Sequence, residues 1–337
     1  MKILAIKFKY LGDVVIMTPA LRALREHYPQ AALHVLVAEE AAPMLRHLDW
    51  IDRVWALPRT RGKTRLSESL PLIKTLRRER FDRSVDFVGN DRGAWLSRLI
   101  GAKIRLGMEQ QRGPRLRRLA YTETREELDH TRHEVIRDLH LLSAWDVPCP
   151  PQPKLMLAPD PALAGEAESW LPGHPLLFHL STSQTKKEWP LGHWKALWQK
   201  ATDAGESVVF SSGPSQREQA LLSQLQALVP EAQILPVCPS IDLFLAILAR
   251  AKRFVSPDTA PLHLAAGLGV PTLGLFGPTA ASRWAPLGET HLALQGGLCP
   301  CSGHLHTCAH TTPCIATLDA DQVWQTLQPL LTSPPNA

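Results

Sequence analysis

The sequence predicts an α/β protein made of two doubly wound, Rossmann-like domains, and three observations carry that expectation. Short β-branched or leucine-rich runs alternate with amphipathic stretches, which is the rhythm of parallel strands covered by helices. The alternation halts once, at the proline-rich DVPCPPQPKLMLAPDP near residues 146–161, and then restarts. The chain, at 337 residues, exceeds the usual size of one compact domain and favours two of about 150 residues. Domains are therefore expected at residues 1–155 and 156–337.

In order, KILAIKF reads as a first strand, 14–27 as a helix, LHVLVA as a strand, 40–48 as a helix and RVWALP as a strand. A basic helix over 70–80, a strand over 83–88 and a helix starting near Asp91 follow. After the proline-rich stretch come the strand PLLFHL, a helix over 191–204, the strand SVVFS, a helix over 215–228 and the strand QILP. The helix over 241–249, the strand RFVSPD, the helix over 260–268 and the strand PTLGLFG complete the second half. Two such sheets in tandem are expected to present their carboxyl edges, where ligands bind in this architecture, to a shared cleft.

Composition narrows the function. An apolar fraction of 45% with 20% charged residues is ordinary for a globular chain. The first apolar run is broken by Lys7 and Lys9 and lacks a cleavage site, so it reads as a strand and not as a leader. No stretch reads as a spanning helix. A net charge of +5 is modest for a nucleic-acid binder and fits anionic substrates or an anionic membrane surface. Four of six cysteines fall between Cys299 and Cys314, with His304, His306 and His310 among them. These are zinc-ligand types at irregular spacing, and packed reduced thiols are the plainer reading.

Three segments carry candidate chemistry. In the turn from Lys7 to Asp13, Gly12 permits a tight strand-to-helix connection and Asp13 stands at a helix start. Its carboxylate either caps the helix or takes a proton from a bound hydroxyl. In STSQTKKEWP, the hydroxyls of Ser181, Thr182 and Ser183 and the cations Lys186 and Lys187 suit phosphate oxygens, unless the loop is merely solvated. In SPDTAPLHLAAGLGVPTLGLFGPT, Asp258 and Thr259 close a strand and open a helix bearing His263. Amides at such a helix start can bind a diphosphate, and Asp258, which would repel one, is expected to hold the loop. Gly274 and Gly277 are expected to form a second ligand-facing loop. No GxGxxG fingerprint follows the first strand, which counts against a nicotinamide enzyme.

These segments, the first turn KxxxxGD followed by PALRAL, then KKEWP, then SPDTAPLHLAAGLGVPTLGLFGPT, resemble the ADP-heptose:lipopolysaccharide heptosyltransferases, glycosyltransferase family 9. The resemblance runs across the chain in order. It implies a GT-B fold, an inverting displacement, and a donor held mainly by the second domain while the first holds the acceptor. Position by position, the family's catalytic base falls on Asp13, and its donor site on Thr182, Ser183, Lys187, Asp258, Thr259, Ala260 and His263. This chain departs at Ala260-Pro261, where relatives carry glycine, and at Gly213-Pro214-Ser215, where the usual acidic ribose contact is missing and Glu218 is its stand-in. The implied scheme calls for no metal and no cofactor. Lys7, Arg59, Arg61, Lys63 and Arg65 are expected to contact an anionic core acceptor, and the run Arg112, Arg115, Arg117 and Arg118 suits either that acceptor or lipid headgroups. The expected setting is the cytoplasm, in peripheral contact with the inner membrane. The alternatives are a transferase for another nucleotide-sugar, a nucleotide-sugar epimerase, and a non-catalytic sugar-binding relative.

Overall fold

A computed structural model describes residues 1–58, 66–109, 115–297 and 313–332. The chain divides into two compact units, Met1–Leu157 and Ala158–Ala337. The first holds strands β1 (Lys2–Lys7), β2 (Ala32–Ala38), β3 (Arg53–Leu57), β4 (Arg83–Asp86), β5 (Ile104–Glu109) and β6 (Glu123–Glu126). They pair in parallel in the order β3-β2-β1-β4-β5-β6. The second holds β7 (Leu176–His179), β8 (Val208–Ser211), β9 (Gln233–Ile234), β10 (Arg253–Pro257), β11 (Thr272–Phe276) and β12 (His291–Gln295). Their order, β12-β11-β10-β7-β8-β9, repeats the first topology strand for strand. In each unit the chain reverses direction between the first and fourth strands, the switch point at which doubly wound sheets bind ligands.

Apolar burial on both sheet faces holds each unit. In β1 every residue from Ile3 to Lys7 is buried, as a strand covered on both sides requires. The following helix, Leu11–His27, contains Pro19, which has no amide to offer the carbonyl of Val15. The Thr18 hydroxyl donates to that carbonyl at 2.7 Å, so the proline costs the helix little. Thr18 also accepts the Met156 amide at 2.9 Å and ties the end of the unit to its start. In the second unit Phe178, Phe210, Trp189 and Trp194 pack ring against ring with centroids 4.9–5.7 Å apart, edge to face between Phe178 and Phe210 and between Trp189 and Trp194 and tilted between Phe178 and Trp194. Truncating any of them to alanine costs roughly 3–5 kcal/mol. Trp189 also donates its Nε1–H to the Leu318 carbonyl at 2.8 Å, which fixes the 314–318 segment ahead of the last helix, Ala320–Thr332.

Candidate active site

In the first unit, β1 turns through Phe8, Lys9 and Tyr10 into the helix Leu11–His27. Tyr10 is the N-cap, and Asp13, three residues on, accepts its amide at 3.3 Å. That bond fixes the half-buried carboxylate over the helix start. Lys7 is only 2% exposed, and its ammonium binds Asp138 on the helix Glu134–Leu142. Burial pushes the Asp138 carboxyl up while Lys7 pulls against it. Lys7, expected at the acceptor, is therefore part of an internal ion pair. Of its expected partners, Arg59, Arg61, Lys63 and Arg65 lie outside the described residues, as does Arg112.

A cavity of about 50 Å³ opens on this edge, lined by Lys9, Met108, Glu127, Glu134 and Arg137 among others. Arg137 is 8% exposed and bridges Glu134, at 2.6 Å, and Glu127. Its Nε has no hydrogen-bond partner among the described residues. Acceptors and donors therefore face the same small space. Beside it, Asp86 ends β4 fully buried, accepting Tyr121 Oη at 2.6 Å and the Val88 amide at 2.8 Å. Burial raises its carboxyl to about 6, against the pull of those hydrogen bonds. Gly93 lets this side chain lie flat on the next helix, because a Cβ there would come within 2.4 Å of Asp86 Oδ2.

In the second unit the Ser181–Pro190 segment follows β7. Thr182 is buried, and its hydroxyl donates to the Gln184 carbonyl at 2.6 Å and accepts the Gln184 amide at 3.1 Å, a local turn. Glu188 accepts the Thr182 amide at 3.2 Å and Arg217 Nη1 at 2.6 Å. Ser183 is exposed. The turn delivers Lys187, whose Nζ donates to Asp258 Oδ2 at 2.6 Å. Thr279, after β11, donates its hydroxyl to the same oxygen at 2.6 Å, and His263 Nε2 stands 3.9 Å from Oδ1. Burial alone would push Asp258 up, but Lys187, His263 and the two hydrogen bonds outweigh it and hold the carboxyl below its ordinary value. Three chain segments thus meet on one ionised carboxylate at the end of β10.

Thr259 is the N-cap of the helix Ala260–Gly267, without a side-chain capping bond. Pro261 offers no amide, and Leu262 N–H turns back onto the Thr259 carbonyl at 3.1 Å. The helix start therefore presents fewer amides than a glycine-bearing one. Glu218 accepts Ser181 Oγ at 3.0 Å and Ser215 Oγ at 2.5 Å, so its carboxylate already has partners inside the loop. Gly277 packs where a Cβ would lie 2.7 Å from Ile315 Cβ, and Gly274 where one would lie 2.9 Å from Leu262 Cδ2. These glycines serve close packing, a correction to the ligand-facing loop expected there.

Sequence reasoning quoted Thr279 but gave it no role, and it missed Asp86, Tyr121, Asp138 and the Arg137 network. Cys314 is described, but Cys299, Cys301 and Cys308 lie outside the described residues, and so does the question of zinc.

Comparison with known proteins places this geometry. Residues 69–309 match the profile of glycosyltransferase family 9 (heptosyltransferase). The chain belongs to that family. It is a glycosyltransferase. A lipopolysaccharide heptosyltransferase 1 of Pseudomonas aeruginosa is 30% identical over 317 residues, 89% of this chain and 86% of that protein. A lipopolysaccharide heptosyltransferase 2 of Escherichia coli K12 is 24% identical, over 85% and 86% of the two chains. Among solved structures, a family 9 glycosyltransferase from Veillonella parvula superposes with a TM-score of 0.83 at 18% identity, covering 98% of this chain and 97% of that one. The E. coli heptosyltransferase WaaC with ADP gives 0.77 at 23% identity, covering 98% and 100%. These structures establish the GT-B fold. A UDP-GlcNAc 2-epimerase from Methanocaldococcus jannaschii shares it at a TM-score of 0.55, covering 100% of this chain and 94% of that one, so fold alone does not separate transfer from epimerisation.

Proposed function

We propose that this glycosyltransferase moves heptose from ADP-heptose to the inner core of lipopolysaccharide with inversion at the anomeric carbon. The observation that carries the reading is the meeting of Lys187, Thr279 and His263 on Asp258. It fixes one cation and one hydroxyl beside a helix N-terminus at the switch point of the second unit, where a diphosphate is best received. The relatives named lipopolysaccharide heptosyltransferases supply the transferred sugar and the acceptor class, and the E. coli WaaC structure with ADP supports the nucleotide.

In the proposed reaction Asp13 accepts the proton of the acceptor hydroxyl as its oxygen attacks the anomeric carbon. The bond from that carbon to the phosphate oxygen breaks on the opposite face, and ADP leaves with the electron pair. Lys187 gives a charge-assisted hydrogen bond to the diphosphate as its charge grows, with Thr259 and the Ala260 amide beside it. Asp258 orients Lys187, and His263 supports Asp258. Ser183, exposed on the loop, is the hydroxyl we assign to the donor, while Thr182 shapes the turn. On the first unit the cavity beside Lys9 receives acceptor hydroxyls, which suit its mixture of donors and acceptors. Lys7 keeps the helix carrying Arg137 in place through Asp138. We assign the enzyme to the cytoplasm in peripheral contact with the inner membrane, where a lipid-anchored acceptor would be met.

The test is transfer from ADP-heptose to heptose-deficient lipopolysaccharide, read by mass spectrometry of the product, with calorimetric titration of ADP and UDP. The reading predicts a mass increase of one heptose and binding of ADP alone. Binding of UDP alone would replace the donor, and an epimerised donor without transfer would replace the reaction.

A further inference from the structure

We propose that the outer helical face of the first unit, built from the helices Leu66–Arg78, Asp91–Ile100 and Arg115–Arg118, rests on an anionic phospholipid surface. The inference rests on the reading above that the acceptor is lipid-anchored. It names the residues that would bring the enzyme to it.

The helices Leu66–Arg78 and Asp91–Ile100 precede and follow β4 and pack against each other, and the second also packs on Arg115–Arg118. In parallel crossovers each helix starts at the carboxyl edge of its sheet and runs back along it. Leu70 and Trp95 each lie four residues into their helix, at the same level near that edge. The helix Asp91–Ile100 turns Ala94, Leu96, Ser97 and Ile100 inward. An ordinary amphipathic helix would be polar on the opposite side. Here that side carries Trp95, 49% exposed, and Leu99, 37% exposed, one turn apart. Leu70 and Leu119 are 41% and 68% exposed. Four of the eight exposed large apolar side chains among the described residues thus fall on this one layer. Scattered singly such side chains need no explanation, but grouped they do.

The charge around them decides the partner. Lys74, Arg77, Arg78, Arg98 and Arg118 are exposed on the same layer. Arg77 Nη1 reaches the Leu99 carbonyl at 3.4 Å, which sets its guanidinium at the rim of the apolar group. Among the described side chains, Asp91 is matched by Arg117 at 2.9 Å and Glu109 by Arg118 at 3.2 Å. A face of tryptophan and leucine ringed by basic side chains complements acyl chains under anionic headgroups. A second copy of the same face would meet like charge.

The full chain should co-sediment with vesicles of phosphatidylcholine and phosphatidylglycerol, bind phosphatidylcholine vesicles far less, and lose binding as salt rises. Trp95→Ser with Leu99→Ser, and separately Arg77→Glu with Arg98→Glu, should each weaken vesicle binding about tenfold. Both variants should transfer heptose to a water-soluble, deacylated core acceptor at the wild-type rate, which shows them folded. Vesicle binding that is unchanged in both variants would overturn the proposal. So would concentration-dependent dimerisation of the wild type that the Trp95→Ser, Leu99→Ser variant abolishes. Failure of the wild type to act on the soluble acceptor would count against the heptosyltransferase reading and leave the vesicle result to judge the surface.

Discussion

Asp86 and Asp258 stand at the carboxyl end of the fourth strand in two copies of one topology, Asp86 as the last residue of its strand and Asp258 as the first residue past the end of its own. Both are buried. Asp86 is met by a tyrosine hydroxyl and backbone amides, and burial lifts its carboxyl to about 6. Asp258 is met by Lys187, Thr279 and His263, which overcome burial and keep it ionised. Of these two buried carboxylates, the one in direct contact with a lysine is held low and the one met only by uncharged donors is raised. The unit that supplies the cation is the one we assign to the diphosphate. In the first unit we assign proton acceptance to Asp13, in the first turn of the helix that follows β1.

That contrast can be broken at several points. The largest effect belongs to Asp13→Asn, which should lower the rate of transfer about 10²–10⁴-fold while ADP affinity stays at the wild-type value. A variant that lost ADP binding as well would erase the division of labour between the units. Next in size is the pH dependence of stability. The folded value of Asp86, about 6, lies above its ordinary 3.8. The folded state therefore holds this proton longer, and its contribution to stability is greatest below pH 3.8 and falls as pH rises through about 6. The gap corresponds to about 3 kcal/mol. Urea unfolding of Asp86→Asn at pH 4 and pH 7 should show that slope removed. Asp258 has the opposite sign. Its folded value is depressed, so its stabilisation is present above pH 3.8 and is lost as pH falls below it.

Smaller effects sharpen the second site. Lys187→Ala should weaken ADP binding about 10–100-fold in calorimetry, since it removes the cation and leaves Asp258 without its ion pair. Thr279→Val removes one hydrogen bond from Asp258 Oδ2. It should cost about 1 kcal/mol of stability and change ADP affinity only a few-fold. If Thr279→Val matched Lys187→Ala in affinity, Thr279 would be a ligand contact in its own right.

The α/β rhythm was legible because strand and helix periods are local. The strands around PLLFHL, SVVFS and RFVSPD and the helices between them stand where the pattern places them. The placement of Asp13 in the first turn of a helix and of Asp258 just after a strand was legible for the same reason, while their roles and that of Lys187 are proposals. What failed to show was every partnership across distance. Lys7 reads as a cation near the first turn, yet its partner Asp138 stands 131 residues away, on a helix that the sequence reading did not identify. Tyr121 reaches Asp86 across 35 residues, and Thr279 reaches Asp258 across 21. Gly277 carries the same letter as a ligand-loop glycine, and only Ile315 packed against it reveals its purpose. Pairing of this kind is fixed by strand order, and single-sequence periodicity carries no strand order.

The most direct test of the central claim is a paired measurement on Asp13→Asn and Lys187→Ala, with ADP affinity by calorimetry and heptose transfer from ADP-heptose to heptose-deficient lipopolysaccharide by mass spectrometry. Asp13→Asn should bind ADP like the wild type and transfer almost nothing, while Lys187→Ala should bind ADP weakly and regain transfer as donor concentration rises. Weak ADP binding by Asp13→Asn with undiminished affinity in Lys187→Ala would contradict that claim.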